Sequence, residues 1–145
     1  AIGSAQMDRA EGIVSERQGL AKKYDDAFTN LDWLKTPFRG DDFEHGYQSY
    51  PCLFMPKDIS LESVKKINAQ RNQWMDDLQK KGISTRPATH AVHMLSFYRE
   101  KYQLSPEDFP NAYAADQCSI SLPLFHGMEQ SEQDFVIEKM LEFKS

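Results

Sequence analysis

The sequence predicts an α+β layer: a small, mostly antiparallel three-stranded sheet with helices packed on one face, preceded by a long helix. Three observations predict it. Apolar residues recur at helical spacing along 2–31, 60–81 and 131–143. Short extended segments bounded by glycine and proline fall between them, at 45–55, 83–87 and 119–124. Helical and extended segments alternate without an internal repeat, as in a mixed layer built around one core.

Composition narrows the class. With 145 residues, 40% hydrophobic and 12% aromatic, the chain is one folded domain. A net charge of -5 argues against a nucleic-acid or anionic-membrane surface. No apolar run approaches the ~20 residues that span a bilayer. Cys52 and Cys118 lack any metal-motif spacing, and two isolated thiols suit a reducing cytoplasm. The chain opens on Ala1-Ile2-Gly3-Ser4-Ala5-Gln6, without a methionine or a cap, as if inside a helix. The expectation is a piece of a longer protein.

Each element follows from local chemistry. Ile2, Ala10, Ile13, Leu20, Tyr24, Ala27 and Leu31 share one face of a first helix. Gly3, Gly12 and Gly19 weaken it by roughly 1 kcal/mol each where exposed. Packing against another body is therefore expected to hold this helix, and an apolar patch on it marks where that body docks. Pro37 and Arg39-Gly40-Asp41-Asp42 form the next loop. Along 45–55 large residues fall on both faces of a strand, so both are expected to be covered, and Pro51 marks an edge or bulge. Residues 60–81 are helical, with Val64, Ile67, Arg71, Trp74 and Leu78 inward, as one helix or as a turn and a second helix from Asn68.

Gly82 supplies the left-handed stop, and Ile83-Ser84-Thr85 runs extended because Pro87 keeps Arg86 out of the helical region. Residues 90–102 read as a helix with Val92, Leu95, Tyr98 and Tyr102 inward. Ser105-Pro106-Glu107-Asp108 starts a helix that reaches Gln117. Ser121-Leu122-Pro123-Leu124 is extended, His126-Gly127 turns, and 131–143 is a last amphipathic helix. Its expected buried side is Phe135, Val136, Met140 and Phe143, with Ser131 and Asp134 as the cap.

Among candidate functional residues, Arg86 stands beside a rigid proline at a strand end. A guanidinium there can be aimed at a carboxylate or phosphate, or can pair with an acid of its own domain. His45, Tyr47 and Tyr50 on one strand either present polar tips to a cleft or form a buried hydrogen-bonded set. His90 and His93 would share a helical face, but no spacing supplies further zinc ligands, so surface or interface histidines are expected. No Ser-His-Asp order and no glycine-rich phosphate loop is present. No lysine or aspartate lies in a pattern suited to a pyridine cofactor.

Several segments, taken in order, resemble one enzyme family. They are Arg17 through Tyr24, His45-Gly46-Tyr47-Gln48-Ser49-Tyr50, and Arg71-Asn72-Gln73-Trp74-Met75 through Leu78. Gly82-Ile83-Ser84-Thr85-Arg86-Pro87, Ser121-Leu122-Pro123-Leu124-Phe125 with Gly127-Met128, and Gln133-Asp134-Phe135-Val136-Ile137 complete the set. Together they resemble the C-terminal part of the DegT/DnrJ/EryC1/StrS sugar aminotransferases, pyridoxal phosphate (PLP) enzymes of the aspartate-aminotransferase fold. Ala1 to Gln6 is similar to the helix after that family's Asn-Tyr-Arg loop.

The resemblance implies the small domain of PLP fold type I. Residues 1–40 are then the connecting helix and loop at the domain junction, and 41–145 the substrate-closing domain. A large PLP-binding domain upstream would carry the Schiff-base lysine, which also moves the proton. The implied whole enzyme is a cytoplasmic homodimer that passes an amino group from glutamate or glutamine to a keto-sugar, generally nucleotide-linked. It implies neither nucleic acid nor membrane as partner. Arg86, His90, His45 and Tyr47 become the implied substrate-binding residues, and this chain alone is expected to be inactive. The alternatives are a sugar dehydratase of the same fold, with histidine replacing the lysine, and a stand-alone binding or regulatory module. The sequence departs from the family at Ala88 and Thr89, where many members carry an aromatic or histidine beside the sugar, and at His126, where proline is common.

Overall fold

The computed structural model describes residue 3 and residues 7–40 and 42–143. Expectations for Ile2 and for the rest of 1–6 other than Gly3 lie outside the described residues. Among the described residues, five α-helices and a three-stranded antiparallel sheet form an α+β layer. The helices are α1 (Ala10–Phe28), α2 (Val64–Lys80), α3 (Ser96–Tyr102), α4 (Pro110–Cys118) and α5 (Gln130–Leu141). The strands are β1 (Leu34–Lys35), β2 (Tyr50–Phe54) and β3 (Ser119–Leu122), in spatial order β1-β2-β3.

The strands differ from the sequence reading in membership. β2 begins at Tyr50 rather than at residue 45, because Tyr47 takes a left-handed φ of 42° and breaks the extended run. Met55, with φ 48°, ends the strand. β1, only two residues long, is too short to carry a period-2 signal; Leu34 opposes Phe54 and Lys35 opposes Leu53. The expected strand at 83–87 is reduced to one bridge, Arg86 opposite Ser121.

Tyr50, Cys52 and Phe54 form the buried face of β2, while Pro51 and Leu53 opposite them are half-buried. Cys52 pairs with Ile120 on β3 at the centre of the core. From α1, Tyr24 packs on Tyr50 with ring centroids 5.0 Å apart, and its hydroxyl donates to the Pro123 carbonyl at 2.8 Å. Phe143 closes the other end of the core, 4.5 Å from the Trp33 ring and 5.1 Å from that of Phe54.

α2 buries the inner face expected of it, Val64, Ile67, Arg71, Trp74 and Leu78, as one continuous helix. It starts at Val64, later than residue 60, because Ser60 and Ser63 close a tight turn on each other: Ser60 N–H donates to Ser63 Oγ at 2.8 Å, and Ser63 N–H to Ser60 Oγ at 3.1 Å. From this helix Asn68 and Arg71 hold the α4–β3 junction, donating to the Gln117 and Ser119 carbonyls, each at 2.8 Å.

Residues 90–102 are not one helix. A 3-10 turn (Val92–Met94) stops at Leu95, whose ψ of 137° is extended, and α3 starts afresh. That break rotates the face. Val92, Leu95, Tyr98 and Tyr102, expected inward, are 54%, 49%, 40% and 57% exposed, and Ala91 and His93 are buried instead. A second break separates Pro106–Asp108 from α4 at Phe109, whose ψ of 67° is non-helical ahead of Pro110.

In α5 the cap is Glu129 with Glu132, in place of Ser131 with Asp134. Val136 and Met140 are buried as expected, Phe135 is exposed, and Gln133 takes a core position by donating to the Leu20 carbonyl at 2.7 Å. α1 carries no strongly exposed large apolar side chain. The expected patch reaches back to Ile2, and most of 1–6 lies outside the described residues; Met7, just ahead of α1, is exposed, and exposed aromatics also gather along 97–109.

Candidate functional site

Arg86 is placed by two local devices. Gly82, at φ +85°, turns the chain out of α2, while Gly82 N–H donates to the Gln79 carbonyl and Ile83 N–H to the Leu78 carbonyl, at 3.0 and 2.9 Å. Buried Ile83 anchors the exit. Arg86 then bridges β3: Ser121 N–H donates to the Arg86 carbonyl at 2.7 Å, and Arg86 N–H to the Ser121 carbonyl at 3.4 Å. Its side chain is exposed and has no ion pair among the described residues, so the in-domain salt bridge does not form there. Arg86 stands on a cavity of about 710 Å³ otherwise walled mainly by apolar groups, among them Ile83, Leu122, Leu124, Met128 and Val136.

His45 and Tyr47 are brought together elsewhere. Tyr47 N–H donates to His45 Nδ1 at 2.9 Å, and the two rings lie 4.2 Å apart. His45 Nδ1 is therefore an acceptor, which leaves the proton of the neutral ring on Nε2. α1 clamps the loop from behind: Gln18 Nε2 donates to the His45 carbonyl at 3.1 Å, and Arg17 to the Tyr47 carbonyl at 3.5 Å. A left-handed, buried tyrosine costs about 1–3 kcal/mol in backbone conformation, a cost found most often at functional sites. Burial raises the Tyr47 phenol pKa, and the nearby Asp25 adds to it. With Gln18, Arg39, Phe43 and Glu44, His45 and Tyr47 line a polar cavity of about 260 Å³. Tyr50 is not part of it: its hydroxyl donates to Asp25 at 2.6 Å inside the core, the buried hydrogen-bonded arrangement.

His90 lies on a third cavity, of about 470 Å³, with Val92, His93, Tyr98, Tyr102 and Phe109. It is exposed, with Nδ1 3.7 Å from Asp116. His93 is buried against Phe109 at 5.1 Å, so the two histidines share no helical face. The structure thus joins His45 with Tyr47 and sets Arg86 and His90 on two further cavities. None of the three cavities is lined by a lysine. Sequence reasoning missed the buried His93 and the exposed aromatics of α3; the run Phe97-Tyr98-Arg99-Glu100-Lys101-Tyr102, aromatics interleaved with cations, was the available signal.

The motif residues outside the cavities have structural duties. Arg17 and Tyr24 secure the 45–47 loop and the end of β3, and Arg71 secures its start.

Known proteins resemble this arrangement. The profile of the DegT/DnrJ/EryC1/StrS aminotransferase family matches residues 1–141. The spore coat polysaccharide biosynthesis protein SpsC of Bacillus subtilis is 28% identical over 138 residues, which cover 95% of this chain and 34% of that protein. GDP-perosamine synthase of Escherichia coli O157:H7 is 27% identical over 145 residues, 100% of this chain and 35% of that protein. Among solved structures, the apo form of the sugar aminotransferase Spr1654 of Streptococcus pneumoniae, described as putative, superposes with a TM-score of 0.78 at 24% identity, over 94% of this chain and 32% of that one. The chain thus spans about a third of the length of the proteins it matches.

Proposed function

The chain belongs to the DegT/DnrJ/EryC1/StrS aminotransferase family, and on that premise we propose that it is the small, substrate-closing part of a PLP-dependent sugar aminotransferase. The reaction moves an amino group from glutamate or glutamine to a keto-sugar, in a cytoplasmic homodimer. Residues 1–40 are the junction with a large domain and 41–145 the closing body. The observation that carries this reading is Arg86, whose backbone is pinned to β3 and whose exposed guanidinium, without an ion pair among the described residues, stands on a mainly apolar cavity that Glu132 also lines.

Bound PLP supplies the electron sink for the amino transfer. The residues present do not suit holding it through a lysine, since no lysine lines the three cavities. What this chain contributes is binding. Arg86 donates two N–H bonds to the carboxylate of the amino donor, beside a mainly apolar wall. His45 offers Nε2–H, and the buried Tyr47 a phenol kept protonated, to the hydroxyls of the acceptor. His90 stands at the outer rim.

The test uses the full-length protein. It is incubated with PLP, its visible absorbance recorded, and the bound cofactor trapped with borohydride and mapped. A trapped lysine outside this chain, together with Arg86→Ala raising the KM for glutamate about 10- to 100-fold, is expected. Cofactor bound without a trapped lysine would indicate the dehydratase chemistry instead. Transamination by residues 1–145 alone would refute the proposal.

A further inference from the structure

Three side chains close a strap between the start of α1 and the turn that leads into α5. A guanidinium nitrogen of Arg9 lies 3.1 Å from His126 Nε2, His126 Nδ1 meets Glu16 Oε2, and Gly127 N–H donates to Glu16 Oε1 at 2.7 Å. Arg9 and Glu16 are two helical turns apart, on one face. The proposed reaction uses none of them. A proline at 126 would make neither ring contact.

The partners fix the protonation of the ring. A guanidinium only donates, so His126 Nε2 accepts from Arg9. The proton of the neutral ring then sits on Nδ1 and is donated to Glu16, an assignment made from the hydrogen-bond network. A second proton would go to Nε2, the atom that Arg9 needs. That bond is then lost, and two cations face each other. The same proton strengthens the other half of the strap, because an imidazolium now donates to a carboxylate.

The groups around the ring leave this exchange to Arg9 and Glu16, the two that α1 presents. From the α5 side, Glu129 N–H donates to Glu132 at 2.8 Å within the cap, and Asp134 pairs with Lys23 at 2.6 Å. Among the described residues neither these groups nor any other acid except Glu16 lies within ion-pair distance of the ring. The Gly127 backbone bond, with His126, holds the Glu16 pKa below the ordinary 4.5, so Glu16 stays ionised over the range in which histidines titrate. The His126 ring is exposed, and bulk protons reach it. Arg9 has no ion pair among the described residues and makes no side-chain cap bond. Its carbonyl accepts from Ile13 N–H at 3.1 Å, the bond that opens α1.

We infer that His126 is a proton-operated catch: neutral, it ties the first turn of α1 to the turn before α5 through Arg9; protonated, it releases Arg9 and keeps Glu16. The inference stands apart from the aminotransferase reading. That reading adds only that α1 is the junction helix, so the catch sets how firmly the junction is held to the closing body.

Amide hydrogen exchange of the full-length protein, without added substrate, reads the catch. Protection factors, normalised to the unfolded-chain rate at each pH, are compared at about pH 8 and about pH 5.5, on either side of histidine titration. At the lower pH, protection of Ile13 is expected to fall about 2- to 10-fold, what one hydrogen bond is worth, while that of Gly127 holds or rises. Arg9→Met and His126→Gln are each expected to erase the pH dependence at Ile13, with far-UV circular dichroism confirming that both variants fold. Equal protection of Ile13 at the two pH values in the unaltered protein would overturn the inference. So would a pH dependence that persists in His126→Gln. Joint loss of protection at Ile13 and Gly127 would overturn it too, since the whole strap would then be opening. No substrate enters the measurement, so its failure leaves the aminotransferase reading to its own test.

Discussion

Replacing Gly82 by alanine isolates one backbone conformation and tests how the segment leading to Arg86 is aimed. The glycine sits at φ +85°, and a Cβ built there meets nothing within 4 Å. No clash contributes, so the whole effect is the strain of a left-handed L-residue, about 1–2 kcal/mol. Relaxing that strain would release the cap, in which Lys81 N–H donates to the Leu78 carbonyl at 3.0 Å, Gly82 N–H to that of Gln79 at 3.0 Å and Ile83 N–H to that of Leu78 at 2.9 Å. For a domain of this size the expected fall in Tm is about 3–8 °C, followed by circular dichroism at 222 nm. Gly12→Ala is the control: it too meets nothing within 4 Å, but it lies within α1, where alanine is favoured by about 0.5–1 kcal/mol. A Gly82→Ala protein as stable as the parent would refute the left-handed cap, and with it the account of how Arg86 is positioned.

Other perturbations have defined outcomes. Tyr50→Phe removes the 2.6 Å hydrogen bond to Asp25 and is expected to cost about 1.5–3 kcal/mol in urea unfolding; no change would show that the phenol is not bonded there. Glu16 accepts from Gly127 N–H at 2.7 Å and pairs with His126, and these contacts, led by the backbone bond, hold its pKa below the ordinary 4.5. A depressed folded-state pKa means that the stabilisation is complete above 4.5 and is lost as pH falls through the lower value, so Glu16→Gln should flatten the acid limb of a Tm-against-pH curve; an unchanged acid limb would contradict the pairing. Cys52 and Cys118 are both buried, and burial pushes both thiol pKa values up. Neither should react with a thiol reagent in the native state within minutes, and both should react in denaturant; rapid native labelling would contradict the core packing.

The legible parts of this chain are those governed by a few neighbouring residues. The inner face of α2 follows from spacing alone, because a continuous helix keeps its phase over five turns. Gly82 and Pro87 declare a stop and an extended exit through their own backbone restrictions, and both act where expected. The α+β class follows from the succession of periodicities. The order of motifs from Arg17 to Ile137 carries the family resemblance, since it depends on identity and order rather than on geometry.

What failed to show was set by breaks and by long-range pairing. One extended residue at Leu95 turns Tyr98 and Tyr102 from expected core to exposed surface, and no periodicity reports a break of one residue. β1 exists because β2 offers Leu34 and Lys35 an edge, a partnership decided nearly twenty residues away. His45 and Tyr47 were legible as a polar pair on one segment, but their left-handed loop is held by Gln18 and Arg17 from α1. Sequence by itself therefore determined the class, the family and the chemistry available at Arg86, His90, His45 and Tyr47. Only the tertiary structure decided that these residues stand on three separate cavities, and that Tyr98 and Tyr102 of α3 face outward. The physical reason is that torsional preference is local, whereas burial is settled by whichever distant surface the folded chain brings against each side chain.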